Sequence, residues 1–332
     1  MYSEDDLNLA IEKEIFTEAA VNEFRQEISK IKNSPSVDEE NFRLIGGFND
    51  IFVVIACCLL LFSSIFVLKP INESLALLSF VTISWVLAEF FVLKRKMSLP
   101  AIVLLIAFVG GIFSLGISLF TKTSEIVIII AAASATVAAY MHWLRFKVPI
   151  TVAAGTVALI GLLVSVVLSI FPDAKDWILL LIAICGICSF SLAMYWDSSD
   201  ISRTTRKSDV AFWLHLVSAP LIIHPLFSIL GVFEGSQSIT NMGGVIVLYI
   251  VMSLISIAID RRAFMVSSLA YVLYALTTIL KDYGDVGYSF AITGVFMGTV
   301  LLLLSAFWHS TRRHVVNWLP LKARKYLPNA VM

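Results

Sequence analysis

The chain of 332 residues is 59% hydrophobic and 14% charged, and its mean hydropathy is +0.90. An ordinary soluble domain is about 45–50% apolar and about 25% charged, so this composition excludes that class and indicates a membrane protein. The 24 basic and 24 acidic side chains give a net charge of zero, but residues 1–50 are acidic and the remainder is basic. The expected partner is the lipid bilayer, and no nucleic acid is expected.

Residues 1–45 form an acidic segment without a long apolar run. Ser3 precedes three acidic residues, as at the start of a helix, and Thr17 is a second candidate N-cap. Apolar residues recur here at helical spacing, so we expect two short amphipathic helices before a linker around Pro35. Such a small segment buries little surface, which makes residues 1–32 a candidate site for a protein partner or self-association. The alternative is a loosely helical, solvated tail.

Ten apolar runs follow, each long enough to cross a bilayer as a helix. A hydrocarbon core of about 30 Å requires roughly 20 apolar residues of helix. The runs are Phe48–Leu68, Leu75–Leu93, Ser98–Phe120, Ile126–Phe146, Val148–Phe171, Trp177–Trp196, Val210–Val232, Gly243–Ile259, Ala263–Leu280 and Val286–Trp308. None alternates like the strand of a membrane barrel. The predicted fold is therefore an all-α, polytopic transmembrane bundle of about ten spans within residues 46–310.

The basic residues predict the orientation of this bundle. With the N-terminus in the cytoplasm, the cytoplasmic segments hold 20 Lys and Arg residues and the external loops hold 4. Cytoplasmic loops of membrane proteins carry such an excess of positive residues. A missed or extra span would scramble the alternation, so the count of ten and the orientation support each other. We predict that both termini are cytoplasmic.

Ionisable residues gather near the predicted cytoplasmic ends of the spans. They are Asp50, Glu89, His142, Arg145, Asp197, Asp209, Asp260, Arg261, Arg262 and His309. Such residues are rare in membrane spans and commonly mark ion or substrate pathways, so a cytoplasmic vestibule or gate of a transporter is one interpretation. Interface anchors and ion pairs without any transport are the other interpretation, particularly for Asp260 and its neighbouring arginines.

The seventh run is the most unusual because it contains two histidines and two prolines. Each proline removes a backbone donor and frees a carbonyl one turn earlier, so Pro220 and Pro225 are predicted to break the helix. His215 and His224 fall on opposite faces of an ideal helix, which argues against a shared metal ion. They either line a pathway or hydrogen-bond to neighbouring helices. The candidate polar pathway comprises His215, His224, Glu89, His142 and His309.

The four cysteines all lie within predicted spans, so we expect no disulfide framework. They are Cys57, Cys58, Cys185 and Cys188. Cys185 and Cys188 have the spacing of a redox or metal motif, but they lack the electropositive surroundings that produce a reactive thiolate. We predict that both are packing residues.

Small residues predict close packing between helices, at Gly110-Gly111, Ala131–Ala135 and Gly294-x-x-x-Gly298. The chain contains no phosphate-binding loop, dinucleotide fingerprint, zinc-protease pair or nucleophile elbow. We therefore expect no cofactor, no metal and no catalytic residue, and do not expect an enzyme.

Residues 311–332 are basic and aromatic. Arg312, Arg313 and the later Lys and Arg residues are mixed with Trp318 and leucines, which is typical of a segment on an anionic membrane surface. Pro320 and Pro328 limit any continuous helix there.

Five short segments stand out from this general pattern: Ile15–Ala20, Phe42–Val53, Asp209–His215, Ala219–Pro225 and Leu304–His309. Together they resemble an uncharacterised family of bacterial polytopic inner-membrane proteins with a short N-terminal helical arm. The resemblance extends over most of the chain and implies a location in the bacterial inner (cytoplasmic) membrane. It implies no activity.

Two functions follow from these observations. Polar residues from several spans and the proline-rich seventh run favour a transporter or channel. The alternative is a membrane scaffold or a regulatory or assembly protein that acts through its acidic arm. An enzyme would require the candidate histidines and Glu89 to meet at one site, which their spacing does not favour.

Overall fold

The computed structural model describes residues 4–32, 48–201, 203, 205–231, 239–283, 286–320, 324 and 327 of the chain. These residues are almost entirely helical and contain no strand, which confirms the predicted all-α fold. The chain divides into two compact units, Met1–Asn41 with Val331–Met332 and Phe42–Ala330.

The first unit contains the two short helices predicted for the arm, α1 (Glu4–Glu12) and α2 (Glu18–Lys32). Glu14 takes a left-handed conformation, with φ 56°, and reverses the chain between them. The Thr17 hydroxyl accepts a hydrogen bond of 3.2 Å from the backbone N–H three residues later, which confirms Thr17 as an N-cap. Val21 of α2 is buried.

The second unit contains eleven helices in its described part. They are α3 (Phe48–Leu68), α4 (Glu73–Ala88), α5 (Ser98–Ser118), α6 (Glu125–Phe146), α7 (Ile150–Ile170), α8 (Ile178–Ser198), α9 (Arg206–Ile229), α10 (Ile239–Ile259), α11 (Ala263–Tyr283), α12 (Val286–Ala306) and α13 (Trp308–Trp318). A π-helical turn, Glu89–Lys94, extends α4, and a 3-10 turn, Pro172–Trp177, precedes α8.

Seven helices in the described part of the chain are long and apolar enough to cross a membrane. They are Phe48–Leu68, Glu73–Lys94, Ser98–Ser118, Glu125–Phe146, Ile150–Ile170, Pro172–Ser198 and Arg206–Ile229. Many of their apolar side chains are exposed. In Phe48–Leu68, only 11% of the most apolar 18-residue stretch is buried. Because such a large exposed apolar surface is unfavourable in water, the helices indicate a membrane-spanning protein. Shorter apolar stretches lie at Gly243–Ile259 and Ala263–Ala275. The count of ten spans and their orientation stay predictions.

The helices of this unit enclose two main hydrophobic cores. The first joins α3 to α7 around residues such as Leu61, Leu104 and Leu105. The second joins α9 to α10, α11 and α12 around residues such as Ile223 and Phe227. Among the described helices, α8 and α9 pack together most extensively. The polar residues described below lie at one end of this second group.

Glycines allow close approach at specific helix crossings. A Cβ atom on Gly186 would lie 2.9 Å from the backbone carbonyl carbon of Leu221, and one on Gly116 would lie 3.0 Å from the Cα of Ala131. A Cβ on Gly111 would meet a valine methyl at 2.8 Å. Glycines at which a Cβ would meet no described atom within 4 Å are Gly110, Gly161, Gly243, Gly294 and Gly298. The predicted small-residue packing is therefore present at Gly111 and Ala131, whereas Gly110 and the Gly294–Gly298 pair show no such contact.

Helix α9 continues from Arg206 to Ile229 with Pro220 and Pro225 inside it. The predicted break at these prolines is absent. A membrane helix tolerates proline where neighbouring helices shield or re-satisfy the freed backbone groups. Here Gly186 of α8 packs directly against the backbone of Leu221, the residue whose carbonyl Pro225 leaves without its usual helical donor.

The last described helix, α13, packs one face into the bundle. Trp308, Arg312 and Val316 recur every four residues and are buried, whereas Trp318 is 88% exposed. Contact of residues 311–332 with a membrane surface stays a prediction. The predicted elements that lie wholly or largely outside the described residues are Ser3, the linker around Pro35 and the chain beyond Pro320.

Candidate functional site

Buried charged side chains from three parts of the second unit meet at one end of helices α8 to α11. They come from the α8–α9 segment, from the loop between α10 and α11, and from α13. We call the following set the charge cluster: Asp197, Arg203, His215, Asp260, Arg261 and Arg312. All are buried, at 7% exposure or less. Charged residues are almost never buried unless they are paired. Here each aspartate and each arginine of the set belongs to an ion pair, and His215 contacts Asp197.

Asp197 occupies the centre of one half of the cluster. Its Oδ2 lies 3.0 Å from His215 Nε2, and its Oδ1 accepts a hydrogen bond of 2.7 Å from Arg261 Nη2. Arg261 Nε also donates to Asp197 Oδ2, at 3.3 Å. The same guanidinium donates to the carbonyl and hydroxyl of Ser208, at 3.1 and 2.9 Å. This half of the cluster therefore joins α8, α9 and the α10–α11 loop.

Asp260 occupies the centre of the other half. Its Oδ2 accepts a hydrogen bond of 3.0 Å from Arg203 Nη1, and its Oδ1 accepts one of 2.9 Å from Trp308 Nε1. Arg312 Nε lies 3.4 Å from the same Oδ1. Arg203 Nη2 donates to the carbonyls of Ile259 and Asp260, at 3.1 and 3.2 Å. This half joins the α8–α9 loop, the α10–α11 loop and α13.

The end of α10 explains how Asp260 and Arg261 reach different partners. Asp260 is left-handed, with φ 59°, and donates its N–H to the carbonyl of Ile257, while the Arg261 N–H bonds to the carbonyl of Ser256. This is the Schellman arrangement, in which glycine usually takes the left-handed position. The Ser256 hydroxyl donates in turn to the Arg261 carbonyl. The reversal sends the two neighbouring side chains into opposite halves of the cluster.

Arg203 also has a left-handed backbone, with φ 54°. A left-handed conformation costs a non-glycine residue roughly 1–2 kcal/mol. Burial lowers the pKa of Arg203, and the repulsion from Arg261 adds to this, whereas Asp260 opposes it. A guanidinium nevertheless stays charged in proteins. The buried side chain of Arg203 therefore requires a negatively charged partner, which Asp260 provides.

One ring nitrogen of His215 has a hydrogen-bond partner among the described residues, and the other has none. A carboxylate accepts hydrogen bonds, so the Nε2 that faces Asp197 carries the proton of the neutral ring. Nδ1 is buried and has no hydrogen-bond partner in the described part of the chain. The rings of Phe190 and Phe264 flank the imidazole, with centroids 5.4 and 6.4 Å away. The lone pair of Nδ1 is thus held in an apolar pocket beside an ion pair.

Two other candidate residues lie in the first half of the bundle. Glu89 begins the π-helical turn and accepts two hydrogen bonds from Arg145, of 2.8 and 2.7 Å, at a partly exposed position. His142 is fully buried, and its Nδ1 lies 3.1 Å from the hydroxyl of Thr151. Its ring packs on that of Phe146, with the two ring centroids 4.4 Å apart. Glu89 thus pairs with Arg145, and His142 contacts Thr151 and aromatic rings; none of these described contacts involves the charge cluster.

The remaining candidate histidines lie elsewhere. His224 is half-buried, and its Nδ1 lies 3.1 Å from the hydroxyl of Tyr271 on α11. His309 is exposed on α13. The described contacts therefore do not bring the five candidate pathway residues together, and only His215 belongs to the charge cluster.

The two cysteines with motif spacing face different surroundings. Cys185 is buried, whereas Cys188 is exposed, and both are free thiols. Among the described residues, no group of three or more His, Cys, Asp or Glu side chains has a metal-binding arrangement. The role of Cys185 and Cys188 as packing residues stays a prediction.

Sequence reasoning missed Arg203, Ser208, Trp308 and Arg312 as members or neighbours of the cluster. In the sequence, Arg203 contributes to the positive charge of a predicted cytoplasmic loop, and Arg312 belongs to the basic segment predicted at the membrane surface. One sequence signal pointed to the cluster. Asp260 and Arg261 are adjacent opposite charges at the end of an apolar run, and charged groups require partners when they are buried. No family model, curated protein or solved structure matches this chain, so its functional interpretation depends on the geometry of these residues.

Proposed function

We propose that this chain is a ten-span transporter of the bacterial inner membrane, with both termini in the cytoplasm and with the charge cluster as its cytoplasmic gate. The observation that carries the proposal is the pairing of two buried carboxylates with guanidinium groups from different helical hairpins. The ion pairs close the space between those hairpins, and they are the contacts that would separate if the hairpins moved apart.

Three observations support ten spans. Seven described helices already have the required length and apolar character. Helices α10, α11 and α12 are 21 residues long each, which is also enough to cross a hydrocarbon core of about 30 Å. With ten spans, the distribution of Lys and Arg is 20 to 4 in favour of one side. The same count assigns the charge cluster to the cytoplasmic side.

Buried ion pairs suit a gate better than a permanent clamp. The attraction within a buried pair is largely offset by the cost of removing both charges from water, so its net contribution to stability is small. When the hairpins separate, Asp197, Asp260 and their arginines recover hydration. The open and closed arrangements can therefore lie close in free energy, as a conformational cycle requires. Apolar residues of the same volume would favour the closed form alone.

Cysteine accessibility tests the proposal. Ser218 is fully buried one helical turn from His215, and its hydroxyl bonds to the His215 carbonyl, so Ser218→Cys is a nearly isosteric reporter. In a background without native cysteines, a membrane-impermeant maleimide added to the cytoplasmic face should label this cysteine slowly. Arg203→Gln should accelerate the labelling by about tenfold or more, because it removes a pair that holds the gate closed.

Arg206→Gln is the matched control, because Arg206 is an exposed arginine of the same segment and should leave the labelling rate unchanged. Ser199→Cys, at an exposed position, supplies the rate for an accessible thiol. Absence of labelling of Ser218→Cys in both the parent and the Arg203→Gln variant, with full labelling after denaturation, would show that the cluster is a static clamp. Labelling only from the external face would refute the orientation.

A scaffold or assembly role for the arm is the second candidate function. Large apolar side chains at Leu9, Ile15, Phe16 and Phe24 are exposed, although α1 and α2 are not among the helices apolar enough to span a membrane. If they form a contiguous apolar patch, they would suit a protein contact. If the arm mediates self-association, Phe16→Ala combined with Phe24→Ala should reduce the oligomeric mass of the detergent-solubilised chain in light scattering. Lys13→Ala is the exposed control, and an unchanged mass in all variants would contradict this role.

A further inference from the structure

We propose that Asp197, His215 and Arg261 form a proton-binding site, in which a proton on His215 Nδ1 replaces Arg261 as the counter-charge of Asp197 and thereby opens the gate. The inference rests on the proposed gate and adds its coupling ion. The transporter would accordingly be driven or regulated by protons.

Two groups that can carry positive charge, His215 and Arg261, compete for the carboxylate of Asp197. The carboxylate is the shared partner of both cationic candidates, with His215 Nε2 at 3.0 Å and Arg261 Nη2 at 2.7 Å. The three side chains are at most 2% exposed, so water does not screen the exchange of one partner for the other. The site has one buried negative charge and two groups that can neutralise it.

The charges that face His215 come from several elements. Helix α8 contributes Asp197, the α10–α11 loop contributes Arg261, and the α8–α9 loop contributes Arg203 at longer range. Helix α11 presents the ring of Phe264, and helix α7, which also packs on α9, contains no ionisable residue. Asp209, on the same helix as His215, lies near Arg261 and Arg206.

In the closed arrangement, Arg261 neutralises Asp197 and His215 is neutral. A proton added to Nδ1 would place an uncompensated positive charge in the pocket, and the new N–H would meet no acceptor among the described residues. If Arg261 leaves for water, the imidazolium and Asp197 neutralise each other, and Nδ1 can reach entering water. Protonation is therefore favourable only with the gate open. By linkage, protons must favour opening.

The proton comes from cytoplasmic water when the gate opens and bonds to the lone pair of Nδ1. It returns to water when Arg261 pairs again with Asp197. The sign follows directly: lower pH should open the gate, and higher pH should close it. The titrating group is an imidazole, so the labelling is measured from about pH 8 to about pH 5, where histidine changes charge in proteins.

The experiment measures the maleimide labelling of Ser218→Cys across this pH range, in the background without native cysteines. Each rate is divided by that of Ser199→Cys at the same pH, which removes the pH dependence of thiol reactivity. We expect the normalised rate to rise by about tenfold from pH 8 to pH 5. His215→Gln keeps an N–H donor near Asp197 but has no second titratable nitrogen, so its rate should be independent of pH.

His224→Gln is the matched control on the same helix, because the polar partner of His224 Nδ1 is the neutral hydroxyl of Tyr271. It should keep the pH profile of the parent. Arg261→Lys provides a second variant that does not touch the histidine. A lysine cannot form the fork of two bonds to Asp197, so opening should become easier and the midpoint should move to higher pH.

The outcomes separate the two proposals. Labelling that does not depend on pH, or a parental profile retained in His215→Gln, would overturn the proton site and leave the gate intact. Absence of labelling at every pH in every variant would overturn the gate itself. A midpoint that moves to lower pH in Arg261→Lys would also contradict the competition between Arg261 and the proton.

Discussion

Replacing Asp260 by Asn should strongly destabilise the second half of the bundle, because two buried guanidinium groups lose their shared carboxylate. Arg203 Nη1 lies 3.0 Å from one carboxylate oxygen and Arg312 Nε lies 3.4 Å from the other. Asparagine tolerates the left-handed φ of 59° at this position, so the substitution removes charge without adding backbone strain. Loss of one partner of a buried ion pair costs about 3–5 kcal/mol, and we expect Asp260→Asn to lower the free energy of unfolding by that amount.

A double-mutant cycle isolates the pair. Arg203→Gln alone should cost less than Asp260→Asn, because Asp260 keeps Arg312, whose Nε lies 3.4 Å from its Oδ1. The combined variant leaves neither charge of the Arg203–Asp260 pair behind. Its loss of stability should therefore be smaller than the sum of the two single losses, by about 2 kcal/mol, within the range found for contacting residues.

Unfolding of the detergent-solubilised protein by added dodecyl sulfate, followed by tryptophan fluorescence, measures these free energies. Trp308 is a useful internal reporter because its Nε1 donates to Asp260 in the folded state. Arg206→Gln, at an exposed site, should change stability by less than about 0.5 kcal/mol. Strict additivity in the cycle, or a cost for Asp260→Asn below about 1 kcal/mol, would show that the pair behaves as a solvent-exposed ion pair and would refute the reasoning.

Three further predictions concern packing and topology. Gly186→Ala should lower the free energy of unfolding by about 1–3 kcal/mol, because its Cβ would lie 2.9 Å from the backbone of α9. Gly161→Ala, whose Cβ would meet no described atom within 4 Å, should be neutral or stabilising. A comparable loss in both would contradict the close crossing of α8 and α9. Replacing Cys185 and Cys188 together by Ala should leave folding and any activity nearly intact; loss of a bound metal in that variant would assign them a chemical role. In spheroplasts and inverted vesicles, cysteines introduced in residues 203–207 should react only from the cytoplasmic face, and external reactivity would rule out ten spans.

The helical class of the fold was predictable because the length of an apolar run is a local property. The runs beginning at Phe48 and Ser98 predict helices that start at those same residues, and Thr17 caps the arm helix as its residue type indicates. Helix α9 shows the limit of local rules. Pro220 and Pro225 remove backbone donors, yet the helix continues through both prolines. Helix α8 packs against it at Leu221, a contact that is not encoded near the prolines.

The membership of the charge cluster was not predictable for a related reason. Helical spacing indicates which residues share a face of one helix, but not which hairpins are neighbours. Asp197 and Arg261 are 64 residues apart, and nothing in that separation selects them as partners. The adjacent pair Asp260 and Arg261 suggested a local ion pair, whereas the left-handed turn at Asp260 separates their side chains.

In the proposed gate, the adjacency of Asp260 and Arg261 couples the two halves of the cluster. One residue supplies the carboxylate of one half and the next supplies the guanidinium of the other, so a single displacement of the α10–α11 loop strains both halves together. Partial opening would expose one ion pair while leaving the other distorted, and it is therefore the least favourable arrangement. The expected behaviour is cooperative and two-state, so single-molecule distance measurements across the α8–α9 and α10–α11 loops should show two discrete populations with no intermediate between them.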